Sequence, residues 1–244
     1  MTRPIVLLHG WGLSSAVWAP LQHALDPALS VGAIDLPGHG SATPVGPRLE
    51  DWADAVLGQL PENCLVVGWS LGAQLALHLA HHHPARIDRL VLISATPRFV
   101  QADDWPAAMP AATLAEFRHS FNADPAGTQR RFIALQGLGD GRRRSVLNAL
   151  GSAVTPADDA HRAALADGLG LLESTDLRNL VPEIRQPVRL LHGAVDTLMP
   201  AAAAEWLADT LPDGRLSVFS DTGHAPFLSR PLDCASLIEG FARD

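Results

Sequence analysis

The stretch CLVVGWSLG, residues 64–72, decides how the chain reads. Its first half is a continuous apolar run, as a strand buried on both faces requires. It is followed by LGAQLALHLAHHH, which suits a helix over residues 71–82. Between the two, a serine stands in the pattern G-x-S-x-G. Taken alone, the five residues are equally an ordinary strand-to-helix turn. In this context they are the signature of a sharp elbow whose serine backbone is strained, and side chains at 68 or 72 would collide with the turn or its neighbours. Such an elbow would place Ser70 Oγ at the carboxyl edge of a sheet, where α/β folds hold their ligands.

Working outward, short apolar runs recur at residues 5–9, 29–35, 90–94, 188–192 and 216–220. They are not alternating, which suits parallel strands covered on both faces. Stretches that suit helices lie between them, at 16–25, 49–60 and 201–211. Strands alternating with helices imply βαβ units and one mostly parallel sheet of about six strands, flanked by helices. Residues 97–186 break the rhythm. They hold no convincing strand, but FRHSF, RRFIALQ and HRAALADGLGLLE have helical spacing. The expected organisation is a core of residues 1–96 and 187–244 with an inserted helical lid, 97–186.

Composition narrows the chemistry. The 244 residues are 47% hydrophobic, enough for a sizeable core. All 18 basic residues are Arg, so lysine Schiff-base and P-loop mechanisms are out. Tyr is absent, which removes a catalytic phenol. A net charge of -8 argues against nucleic-acid binding. Cys64 and Cys234 form no metal or redox motif and read as core residues. The apolar stretch IVLL near the start is too short for a signal peptide, and no run reaches transmembrane length. A cytoplasmic protein that does not bind membranes is expected.

A serine hydroxyl needs a base to take its proton. His224, in SDTGHAPF, follows the last strand run. Asp196 follows the penultimate one. Ser70, Asp196 and His224 then stand in the chain order nucleophile, acid, histidine. His192 comes too early for that order, and Asp221, only three residues from His224, reads as a loop-shaping residue. His224 would accept the Ser70 proton while Asp196 holds the imidazole tautomer. The oxyanion would be met by the N–H of Leu71 and the N–H of Trp11, in HGWG after the first strand. Each donor of this kind is worth about 3–4 kcal/mol.

Other histidines read more plainly. His9 is expected to stabilise the HGWG loop, and His39 to cap or pack a turn. The run 81–83 closes a helix, where histidines suit the dipole and solvent. Serine acyl transfer requires neither a metal nor an organic cofactor, and none is expected.

HGWG, DLPGHGS, GWSLG, the Asp196 loop and GHAPF together resemble the α/β-hydrolase superfamily over essentially the whole chain. VLLHGWGLSSAVW, DDWP, RRFIALQ and GHAPFLSRP narrow the resemblance to the pimeloyl-acyl-carrier-protein methyl ester esterases of biotin synthesis. That resemblance implies hydrolysis of a methyl ester on an acyl carrier protein. It implies that Trp11, Ser70, Leu71, Phe132, Gln136 and His224 line the substrate site. Burying five methylenes of such an acyl chain would contribute about 4 kcal/mol. The chain departs from many α/β hydrolases in starting at the HGxG strand, so the early hairpin is expected to be missing.

The lid carries a charge signal of its own. Arg118, Arg130, Arg131, Arg142, Arg143 and Arg144 stand against Asp124 and Asp140. An acidic carrier protein would be steered by such a patch, and the resemblance points to Arg131 and Arg144 as its contacts. A monomer is expected. A general short-chain carboxylesterase or lactonase fits the same motifs, since fold and triad do not choose a substrate. A non-catalytic binding protein on this fold is the reading from another class.

Overall fold

The computed structural model describes residues 3–244. In chain order it contains β1 (Ile5–Leu8), α1 (Ala19–Ala24), β2 (Val31–Ile34), α2 (Leu49–Leu57), β3 (Cys64–Trp69), α3 (Leu71–His82) and β4 (Ile87–Ile93). There follow α4 (Ala111–Ala123), α5 (Pro125–Gln136), α6 (Arg143–Ser152) and α7 (Arg162–Ser174). The chain then returns to β5 (Val188–Gly193), α8 (Ala201–Thr210), β6 (Gly214–Phe219), α9 (Pro226–Ser229) and α10 (Pro231–Arg243).

The six strands form one sheet in the order β2-β1-β3-β4-β5-β6, and every pairing is parallel. The chain goes out from β1 to β2, then crosses back to β3 and continues the other way. The crevice at the carboxyl ends of β1 and β3 is therefore the topological switch point, where α/β folds bind ligands. HGWG and Ser70 both stand there.

Successive side chains of the inner strands point to opposite faces. Val6, Leu8, Val66, Leu90, Leu92 and Leu190 join one apolar cluster with Trp52, Leu75, Leu79 and Leu207 of the covering helices. Ile5, Leu7, Leu65, Val67, Val91, Ile93 and Leu191 join a second with Trp18, Leu21, Phe227 and Ile238. One free cysteine is buried in each, Cys64 in the first and Cys234 in the second.

The expectation of two-sided burial fails at the edges. β1 and β3 are wholly buried, whereas β2 keeps only Ile34 buried and β6 has no fully buried residue. An edge strand lacks a neighbour on one side, and helix cover thins there. Element ends also shift. The helix expected over 16–25 begins as a 3-10 turn, Ser15–Trp18, before α1. The helix expected over 49–60 stops at Leu57, where Gln59 and Leu60 donate to Val56 and Leu57 in tight closing bonds.

Between β4 and β5 the chain runs through α4 to α7 with no strand longer than an isolated bridge. These helices share the sheet's core: Phe121, Phe132, Leu165 and Leu169 enter the first cluster, Val146 and Leu150 the second. Among the described residues no helix is long and apolar enough to cross a membrane.

Two buried histidines shape the loops around the switch point. His9 Nε2 accepts the Leu36 N–H at 2.9 Å, so its Nδ1 carries the proton donated to Gly10 O at 2.8 Å. His39 Nδ1 lies 3.0 Å from Pro37 O, and its ring packs edge-on against Trp52. Burial pushes the His9 pKa down to about 4. Burial, and then the neighbouring His9, pushes His39 to about 3. Both are thus neutral in the folded protein, while the unfolded chain takes up protons near the ordinary value of 6.5. Stability should be level above that value and fall as pH drops from it, by about 2 kcal/mol for each histidine at pH ~5. Urea midpoints at the two ends of that window check this; equal midpoints would contradict it.

Candidate active site

At the end of β3 the backbone turns in one residue. Ser70 has φ 56° and ψ −118°, a left-handed conformation rare for a residue with a side chain. The turn is clamped: Ser70 N donates to Ile93 O at 3.1 Å, and its carbonyl accepts from Ala73 N at 2.9 Å. A Cβ at Gly68 would lie 2.7 Å from Ala73 Cα, and one at Gly72 would strike Leu8 O and lie 2.6 Å from His9 O. Both glycines therefore answer to close packing of α3 against β3 and β1. Gly10 meets Ser70 directly, its hypothetical Cβ 3.2 Å from the serine Cβ. The HGWG loop thus rests on the elbow.

Asp196 and His224 come from the loops after β5 and β6, at the same sheet edge. His224 Nδ1 lies 2.8 Å from Asp196 Oδ2, and both side chains are buried. Asp196 Oδ1 accepts from Leu198 N at 2.9 Å and Met199 N at 3.0 Å. Burial alone would raise the Asp196 pKa. The adjacent His224, with help from the Met199 N–H, outweighs it and holds the carboxyl below its ordinary value. An ionised Asp196 fixes the proton on His224 Nδ1 and leaves Nε2 free to act as a base. His192 also approaches Asp196, at 3.7 Å, but its Nε2 is 2.8 Å from Met199 O, and burial lowers its pKa. It is a neutral wall of the acid's pocket. Asp221 is exposed, with φ 52°, and its carbonyl accepts from Gly141 N at 2.8 Å.

Two backbone N–H groups stand at the crevice. Leu71 N opens α3, and Trp11 N lies in the loop against Ser70. Among the described residues neither has an acceptor. Both are available to an oxyanion, aided by the positive end of the α3 dipole.

The helices after β4 close over this point. The Trp11 indole donates to Leu165 O at 2.7 Å and packs edge-on against Phe117, Phe121 and Phe132, its ring centroid 5.1 Å from that of Phe132. A narrow apolar slot of about 50 Å³ is lined by Phe132, Phe117, Leu135, Leu169 and Leu198 among others. Gln136 is buried, its carbonyl accepting from His224 N at 3.3 Å, while both polar atoms of its side-chain amide lack partners.

A family model described as the alpha/beta hydrolase family matches residues 5–237. The chain belongs to that family. It is 53% identical over its full length, and the full length of the relative, to a protein of Aromatoleum aromaticum named pimeloyl-[acyl-carrier protein] methyl ester esterase. A protein of the same name from Nitrosomonas europaea is 38% identical, covering 96% of this chain and 94% of its own. Among solved structures, an esterase from Exiguobacterium antarcticum superposes with a TM-score of 0.85 at 23% identity, covering 99% of this chain and 92% of its own. An enol-lactonase from Burkholderia xenovorans does so at 0.85 and 20%, covering 100% and 93%. These two show the fold of this hydrolase.

Of the residues expected at the site, Asp196 and Gln136 contact His224, Trp11 packs on Phe132, and Ser70, followed by Leu71, meets the Gly10 backbone of the HGWG loop. Arg131 and Arg144 take no part in these contacts and are exposed on α5 and α6; Arg131 Nη2 donates to Thr128 Oγ1 at 2.6 Å. The charge patch is smaller than the sequence suggests, because Arg118 pairs with Glu173. Arg130, Arg131, Arg142, Arg143 and Arg144 are exposed and, among the described residues, have no carboxylate partner. The His81–His83 tract meets one acid, with His81 3.8 Å from Glu183.

Sequence reading missed three supporting residues. Trp69 donates its indole N–H to His224 O at 2.8 Å. Gln129 donates to Gly12 O at 2.9 Å and Thr155 O at 2.6 Å, bracing the HGWG loop. Asp140 bonds Gly223 N at 2.9 Å. Trp69 alone had a local signal, its place inside G-x-S-x-G.

Gly72→Ala should destabilise the protein by about 3 kcal/mol, since the backbone it strikes belongs to β1 and cannot yield cheaply. Gly240→Ala, in α10 with open space around its position, should be neutral or stabilising by about 0.5–1 kcal/mol. Paired thermal melts check the contrast.

Proposed function

We propose that this hydrolase cleaves the methyl ester of pimeloyl-acyl carrier protein, releasing methanol and the free carboxylate, as a step of biotin synthesis. The observation that carries the substrate assignment is the end-to-end match, at 53% identity, to a relative of that name. The crevice supplies the chemistry. Ser70 is the nucleophile, His224 the base and Asp196 the residue that orients it. As Ser70 Oγ attacks the ester carbonyl, its proton passes to His224 Nε2. The oxyanion that forms is met by the N–H groups of Trp11 and Leu71. Collapse expels methanol, which takes the proton from His224, and a water activated by the same imidazole hydrolyses the acyl-enzyme.

The helices between β4 and β5 serve as a lid, dividing the chain into a core of 1–96 and 187–244 and a lid of 97–186. The apolar slot beside Phe132 holds the methylenes of the acyl chain, and the unpartnered Gln136 amide, one turn further along α5, offers a polar contact. Exposed Arg131 and Arg144 meet the acidic carrier protein, raising its on-rate and fixing its orientation. On this reading the protein works in the cytoplasm as a monomer.

Ser70→Ala should abolish turnover, with kcat down by about 10⁶-fold and the fold intact by circular dichroism; retained esterase activity would refute the nucleophile. Arg131→Glu with Arg144→Glu should lower kcat/KM on the carrier-bound ester by about 10-fold or more at low salt. A small free ester should be spared. Equal losses on both substrates would point to damage of the lid itself. Free esters turned over quickly with no action on the carrier-bound ester would move the function to a general esterase or lactonase.

A further inference from the structure

Every residue of the short segment that delivers His224 is held from outside. Thr222 O accepts from Val195 N at 3.1 Å, and His224 O accepts from the Trp69 indole at 2.8 Å. Besides the Asp196 contact, three more restraints come from the end of α5 and the turn that follows it. Gln136 O accepts from His224 N at 3.3 Å, Gly141 N donates to Asp221 O at 2.8 Å, and Asp140 Oδ2 accepts from Gly223 N at 2.9 Å.

Asp140 is the only side chain of that turn among these contacts. It is 6% exposed. Its Oδ1 accepts from Ser229 Oγ at 2.9 Å and from Arg142 N at 2.7 Å. Its own carbonyl accepts from Arg143 N, the first residue of α6, at 3.1 Å. A buried carboxylate costs free energy unless donors surround it. Here two backbone N–H groups, one hydroxyl and the N-terminal end of a helix do so. One oxygen faces the lid turn and α9, and the other faces the residue before His224.

We infer that Asp140 is a positioning residue for the reaction: it ties the lid turn to the loop of His224 and so sets the imidazole against Ser70. This rests on His224 being the base. Asn at 140 would be nearly the same size but has a single acceptor oxygen. Either Gly223 N–H or Arg142 N–H would then face an NH₂ group, so the side chain could no longer answer both ends of the tie, and its hold on the loop or on the turn would weaken. Misplacement of a catalytic group by a fraction of an ångström to an ångström is felt in kcat more than in substrate binding.

The test uses the full chain with p-nitrophenyl butyrate, which needs no carrier protein. Active sites are counted by fluorophosphonate labelling. Asp140→Asn should lower kcat per active site by about 10- to 100-fold, with KM within about 2-fold, and slow Ser70 labelling in proportion. Asp140→Ala should do at least as much; if it does not fold, Asp140→Asn decides alone. Ser229→Ala removes one bond of the same carboxylate without touching Gly223, and its kcat should stay within about 2-fold of the parent. A purely structural Asp140 would lower the melting temperature and leave kcat per labelled site unchanged; that result overturns the inference. So does a loss of equal size in Ser229→Ala. His224→Ala separates this from the parent reading: retained turnover there overturns both, whereas an inactive His224→Ala beside a normal Asp140→Asn overturns only the role of Asp140.

Discussion

The backbone at Ser70 is the constraint on which the rest of the site depends. A residue with φ near 56° is strained, and such strain persists only when its surroundings over-determine it. Here they do. β3 is wholly buried between β1 and β4, and α3 packs so closely that neither Gly68 nor Gly72 has room for a methyl group. The strand and the helix are each secured by burial on the two sides of one residue. The residue between them has no other path, and its side chain stands at the sheet edge.

From that fixed point the site is assembled by loops leaving the same edge. The parallel sheet sends the ends of β1, β3, β5 and β6 in one direction, so residues 9–12, 70, 196 and 224 converge though more than two hundred positions separate the first from the last. The electrostatics follow from depth. Asp196 is buried yet holds its charge because His224 and two backbone N–H groups answer it. His9 and His39, equally deep, have no such partner and stay neutral. The same burial thus makes one group a charge-bearing orienter and two others packing and hydrogen-bonding elements.

The helices after β4 are bound into this arrangement rather than laid on top of it. α5 presents Gln129, Phe132 and Gln136 at helical spacing. They reach the HGWG loop, the Trp11 ring and the His224 backbone respectively. One helix therefore spans both the HGWG loop and the loop of His224, and the turn after it adds Asp140.

The sequence by itself determined the parallel α/β sheet and the sharp strand–serine–helix turn at Ser70. These rest on local signals: continuous apolar runs, turn glycines, and loops that follow strands. It misjudged the edge strands, because an apolar run does not say how many neighbours it will have. It overstated the Arg patch, because Arg118 and Glu173 lie far apart in the chain and pair only once α4 and α7 pack. Gln129 and Asp140 as braces, and the partner of Trp69, were decided by the tertiary structure alone. Each acts through a hydrogen bond to a main-chain atom at least 26 residues away. A main-chain atom carries no residue identity, so nothing in the sequence marks it as the partner.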